Sequence, residues 1–252
     1  MTDDAPLSFS QVFKRQGQTQ VLRNLNFSVE KGEFVGLVGL NGAGKTTVFK
    51  SLLDLVTIDS GSIRLFSSPH HNARARRRIA YLPERFMPPA HLYGSDFLNF
   101  MLRINGKSTA STPVEHTLRA LDFPYEKLRT PIRTYSKGTA QKLGLAACVL
   151  ADKALLVLDE PMSGLDPAAR YILRDLLLHL KRDGKTLLMS SHSLNDVRLT
   201  CDRVLVLHEG EIRFDGPPQS LLEKFETNDG DQAFVRCIQA EKNVATSSAA
   251  GN

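Results

Sequence analysis

The sequence has no apolar run long enough to cross a bilayer. Its longest, Leu143 to Ala151, is about half of what a transmembrane helix needs. The chain is therefore expected to stay outside the membrane, though it can touch a membrane protein. Cysteine is scarce: Cys148, Cys201 and Cys237 are odd in number and far apart. That argues against a disulfide framework and for a reduced compartment, with the thiols used in packing. The opening residues MTDDAPLSFS are acidic and polar, unlike a secretory signal. No internal repeat or heptad pattern is visible.

What is present is ordinary globular composition. The 252 residues are 42% hydrophobic and 23% charged, enough for one large domain or a domain plus a lobe. The formal net charge is +5, and the most basic block holds Arg74, Arg76, Arg77 and Arg78. No aromatic residues interleave with these arginines, as a nucleic-acid stacking platform would require. The block reads as a solvated turn before the strand IAYL, and no nucleic-acid partner is expected.

Periodicity divides the chain. Leu25, Phe27 and Val29 alternate on one face and predict a half-buried strand. Phe34 to Val38 and Ala154 to Leu158 are short and wholly apolar, which predicts strands covered on both faces. Val48, Phe49, Leu52, Leu53 and Val56 recur at helical spacing, and a turn at Asp59-Ser60-Gly61 leads into a strand from Ser62 to Phe66. Between about 85 and 150 the periodicity becomes helical, punctuated by Pro88, Pro89, Pro113, Pro124 and Pro131. Strands then resume at Thr186 to Ser190, Arg203 to Leu207 and Ile212 to Phe214, with Asp166-Pro167 capping the helix between. Alternating strands and helices predict an α/β core with a largely parallel sheet. Residues 1–84 and 151–225 are assigned to that core and 85–150 to an inserted helical lobe. Residues 226–252 form an extension, expected to be partly disordered and to end in the disordered stretch ATSSAAGN.

Residues 39 to 47 read GLNGAGKTT. This fits G-x-x-x-x-G-K-[ST] between a buried strand and an amphipathic helix, the context that confirms a phosphate-binding loop. Gly39, Gly42 and Gly44 let the backbone of Leu40, Asn41 and Ala43 wrap around phosphate oxygens. The helix that follows adds its positive end. Lys45 supplies charge for the β- and γ-phosphates, Thr46 a hydroxyl for Mg²⁺, and Thr47 completes the loop. The strand ALLVLDE ends in Asp159, placed to serve a metal shell, and Glu160, placed to orient or deprotonate a water.

Four further stretches follow in a telling order. YLPE at 81–84, YSKGTAQ at 135–141, PMSGLDP at 161–167 and SSH at 190–192 resemble the Q-loop, signature motif, D-loop and switch histidine of ATP-binding cassette proteins. Together with the phosphate loop they cover about 7 to 225. The chain thus resembles the ATP-binding subunit of an ABC transporter, in its exporter-like forms. The resemblance implies a P-loop NTPase core with a mixed, largely parallel sheet, an N-terminal antiparallel β region and the inserted helical lobe. It implies ATP and Mg²⁺ as cofactors, with Thr46, Glu84 and Asp159 around the metal and Glu160, His192 and Lys45 as catalytic residues. Ser136 and Gly138 would contact the γ-phosphate of an ATP held by another chain, so two copies, or this chain and a second cassette, would sandwich two nucleotides head to tail. Asp166 would lie at that interface. Transmembrane permease subunits would dock on the helical lobe, with Phe86, Met87, Leu92 and Tyr93 as candidate contacts, and the chain would sit peripherally on the cytoplasmic face of the membrane.

Three departures stand out. Glu84 replaces the usual glutamine, and Tyr135, Lys137 and Thr139 replace Leu, Gly and Gln of the signature. Gln16 falls where the family carries an aromatic that stacks on adenine, with Phe13 nearby; either another residue stacks or base selectivity is looser. Two other functions fit parts of the sequence. A soluble ABC-type ATPase acting on ribosomes or DNA would usually carry two cassettes or a long coiled-coil insertion. A regulatory subunit with weak hydrolysis would not need Glu160 and His192.

Overall fold

The computed structural model of the chain describes residues 5–249. A hairpin of β1 (Leu7–Gln16) and β2 (Thr19–Val29) leads to β3 (Phe34–Val38), the phosphate loop and helix α1 (Lys45–Leu52). Then come β4 (Ser60–Leu65), β5 (Ser68–Pro69), the short α2 (Ala73–Arg76) and β6 (Ile79–Leu82). The next stretch is helical: α3 (Gly94–Ile104), α4 (Val114–Ala120) and α5 (Lys137–Ala151). The chain returns through β7 (Leu155–Leu158), α6 (Pro167–Arg182), β8 (Thr186–Ser191), α7 (Leu194–Val197), β9 (Arg203–His208) and β10 (Glu211–Gly216). It closes with α8 (Pro218–Lys224) and α9 (Gly230–Ala249).

Two sheets result. The first is antiparallel, in the order β2-β1-β4-β5; the second runs β10-β9-β3-β8-β7-β6. In the second every neighbouring pair is parallel except β9 with β10. Its strands read as unbroken apolar runs because both faces are covered. On β3, Phe34 and Val38 belong to one apolar cluster while Val35 and Leu37 belong to the other. The same alternation sends Leu156 and Leu158 of β7, and Leu187 and Met189 of β8, into the cluster shared with the helical lobe and α6. Leu155, Val157 and Leu188 enter the cluster shared with α1 and the antiparallel sheet. Side chains that point to opposite faces at successive positions produce this division.

Two features go beyond the sequence reading. The expected N-terminal antiparallel region is present, but its strand β1 was not delimited from sequence because its alternation breaks. The register slips between Phe9 and Val12, where Gln11 adopts φ 50; this bulge shifts which residues face inward. Within the extension after residue 225 a helix runs from Gly230 to Ala249, with Ala233, Phe234 and Cys237 buried against the core. Ile238 packs partly against the same cluster, so tertiary contact along this stripe secures the helix. Residues 250–252, the end of ATSSAAGN, lie outside the described residues. The basic block is partly consumed in packing: Arg76 pairs with Asp54 at 3.0 Å, and the Arg78 guanidinium lies 3.6 Å over the Phe66 ring. All three cysteines are buried, and none is in a disulfide.

Candidate nucleotide site

Parallel strands that end at one level carry their following loops to one edge. Val38 of β3 pairs with Ser191 of β8, and Leu158 of β7 pairs with Met189 of β8. The phosphate loop, Asp159-Glu160 and His192 therefore leave the sheet side by side at the carboxyl ends of adjacent strands, where open α/β sheets hold ligands.

The loop is shaped by its glycines. Gly44 caps α1 at φ 111, and a Cβ there would stand 3.0 Å from the Val21 carbonyl oxygen. A Cβ on Gly39 would meet the Leu207 carbonyl oxygen at 2.5 Å. Neither position accepts a side chain, so the loop closes tightly around a cleft of about 390 Å³. Leu40, Asn41, Gly42, Gly44, Lys45, Thr46 and Thr47 line it, joined by Glu84, Glu160, Gln16 and Val21. Gly39 and Ala43 shape the loop without lining the cleft.

Inside, charge is concentrated. The Lys45 ammonium donates to the Gly39 carbonyl at 2.5 Å and lies 3.1 Å from Glu160 Oε1, both side chains nearly buried. The other Glu160 oxygen accepts from His192 Nδ1 at 2.8 Å, which fixes the N–H of the ring on that nitrogen. Thr46 Oγ1 reaches Asp159 Oδ2 at 3.4 Å. Burial holds the Asp159 carboxyl above the ordinary carboxylate range; the Ser190 hydroxyl opposes this, and the negative charges of Glu84 and Glu160 reinforce it. The Tyr81 phenol is likewise pushed up, first by burial and then by Asp159 and Glu84. A site that gathers carboxylates around one lysine suits a cation-bearing anionic ligand. Thr46 and Asp159 are hard oxygen donors. Oxygen donors of this kind are those that hard divalent cations take.

The remaining predicted residues lie apart. Ser136 caps α5, its Oγ accepting from Thr139 N at 3.1 Å, and neither it nor Gly138 lines the cleft. Asp166 caps α6, accepting from Ala169 N at 2.8 Å. The departures in the signature have structural work. The Tyr135 hydroxyl donates to the Lys127 carbonyl at 2.5 Å, and the ring packs near Phe123. Lys137 lays its chain over Gly164 in the D-loop. Phe13 is not on the cleft wall, whereas Gln16 is. Sequence reasoning did not single out Val21 or Ser190 as functional. Ser190 stands within the SSH stretch, and its place in a buried strand beside two acids was the available signal.

The family model that matches residues 22–163 is that of the ABC transporter. This chain belongs to the ABC transporter family. It is an ATP-binding cassette. An uncharacterized ABC transporter ATP-binding protein of Synechocystis is 34% identical over 222 residues, covering 87% of this chain and 62% of the relative. The chain thus spans under two thirds of that protein. The Nod factor export ATP-binding protein I of Burkholderia orbicola is 35% identical, covering 87% of this chain and 73% of the relative. A solved ATP-binding subunit of an ABC transporter superposes with a TM-score of 0.83 at 28% identity, over 92% of this chain and 99% of that one. The dimeric, post-hydrolysis cassette MJ0796 bound to ADP and Pi has a TM-score of 0.74 at 21% identity, over 84% of this chain and 98% of that one, and shares the fold.

Proposed function

We propose that the cassette binds and hydrolyses ATP to drive transport through separate membrane subunits, working as a head-to-tail pair. The observation that carries this reading is the chain Lys45–Glu160–His192, two contacts of 3.1 and 2.8 Å that share the Glu160 carboxylate at the cleft. An incoming γ-phosphate competes with Glu160 for the Lys45 ammonium. Glu160, still held by His192, is then free to accept the proton of an attacking water. Lys45 and the loop N–H groups hold the transferred phosphoryl group. Thr46 and Asp159, with Glu84 from the cleft wall, would hold Mg²⁺, which when bound neutralises phosphate charge. Burial of Asp159, and then the charges of Glu84 and Glu160 beside it, disfavour an uncompensated carboxylate there and so favour such a cation.

Ser136 and Gly138 supply the missing face from a second chain, with Asp166 at the seam. The exposed head of α5 and its absence from the cleft support this. The partner membrane subunit docks on the helical lobe and holds the chain at the cytoplasmic face. Of the four candidate contacts, Met87 and Tyr93 are exposed, while Phe86 and Leu92 pack against the core. The named Nod factor exporter supports export as the direction.

The test is Glu160→Gln. Turnover falls roughly 10²- to 10⁴-fold, the worth of a positioned base, while ATP binding persists. Wild-type turnover in that variant overturns the assignment. A pull-down from detergent-solubilised membranes recovers a multi-span protein; recovery of ribosomal proteins contradicts the transport reading.

A further inference from the structure

Strand β8 lies between β3, which carries the phosphate loop, and β7, which carries Asp159 and Glu160. Ser190 sits near its end with no exposed surface. Its hydroxyl donates to Asp159 Oδ1 at 2.6 Å and accepts the backbone N–H of Glu160 at 2.8 Å. A serine hydroxyl has one hydrogen to give and lone pairs to receive; here both capacities are used, on two consecutive residues. Glu160 takes φ 49, a left-handed conformation that a side-chain-bearing residue holds only when its surroundings enforce it. The N–H that Ser190 grips belongs to that same residue.

We propose that Ser190 is a positioning residue that sets the spacing between the two carboxylates. Its hydroxyl fixes one oxygen of Asp159, leaving Oδ2 toward Thr46. It also anchors the backbone turn that delivers the Glu160 side chain to Lys45 and His192. One buried hydroxyl thus ties the metal-side acid to the water-side acid. The inference rests on the roles proposed above for Asp159 and Glu160.

The experiment compares Ser190→Thr with Ser190→Val, which share shape and differ by the hydroxyl. ATPase kcat and KM, ATP affinity without Mg²⁺, and the Mg²⁺ concentration that half-saturates tight ATP binding are measured for both. The valine variant has kcat about 10- to 100-fold below the threonine variant, needs more Mg²⁺, and keeps the Mg²⁺-free ATP affinity within about twofold. Equal kcat in the pair overturns the proposal. So does a fall in Mg²⁺-free affinity that parallels kcat, because that marks general damage to the fold. If the added methyl prevents folding of both, Ser190→Ala against wild type is read by the same criteria. Failure of the underlying assignment is distinguishable: there Glu160→Gln itself stays active, whereas failure of this inference leaves Glu160→Gln inactive and the valine variant normal.

Discussion

The phosphate-loop end and the signature-helix end of this chain are built in opposite ways. At the first, the Lys45 and Glu160 side chains are nearly buried and hold each other at 3.1 Å, and Asp159 is bound by Ser190. At the second, Ser136 is exposed and, among the described residues, bonded within its own helical turn to Thr139. Charge held by fixed, nearly buried partners is pre-organised, so it costs little rearrangement when a substrate arrives. A capped helix start facing water carries its dipole unspent. On the proposed reading, the contrast teaches that the chain brings an assembled half-site and a second one that waits for a partner chain.

Substitutions can break this contrast from either side. Ser136→Glu puts a negative charge where a partner's phosphate would lie. ATPase turnover falls roughly 10²- to 10³-fold, the cost of losing a charge-stabilising group, while ATP affinity of the isolated chain, read by equilibrium dialysis, does not change. Reduced affinity in the isolated chain would move Ser136 into the same half-site as Lys45. Lys45→Ala does the reverse. Removing a hydrogen-bonding charge weakens ATP binding itself by about 1.5–3 kcal/mol, roughly ten- to hundredfold, and unchanged affinity contradicts the cradle. Gln16→Tyr gives the smallest effect. A ring on the cleft wall adds stacking of about 0.5–1.5 kcal/mol, seen as a few-fold tighter ATP and a wider gap between ATP and a triphosphate lacking the base. No change would mean that the base lies elsewhere than near Gln16 and Val21.

The two ends also differed in how far the sequence disclosed them. The strands β3, β7 and β8 were legible because both faces are covered, which turns them into apolar runs, and the loop GLNGAGKTT was legible because few other physical needs demand that spacing. Strand β1 was not, because the bulge at Gln11 scrambles its alternation. Helix α9 was not, because its buried stripe of Ala233, Phe234 and Cys237 is too narrow to stand out among polar residues. At the site, motif order pointed to Lys45, Asp159, Glu160 and His192. It was silent about Ser190, whose bond to Asp159 spans 31 residues of sequence and exists only once β7 and β8 lie side by side. Tyr135, in place of the family's leucine, read from sequence only as part of an exporter-like form of the signature; its bond to the Lys127 carbonyl makes it a brace for the signature turn.

The claim on which the account turns is that one chain's cradle closes on another chain's serine-headed helix. Light scattering on the Glu160→Gln variant with ATP and Mg²⁺ measures it directly. The account predicts a monomer without nucleotide, a species of twice the mass with ATP, and a return to monomer when Ser136→Glu is added. A variant that binds ATP and remains monomeric contradicts it.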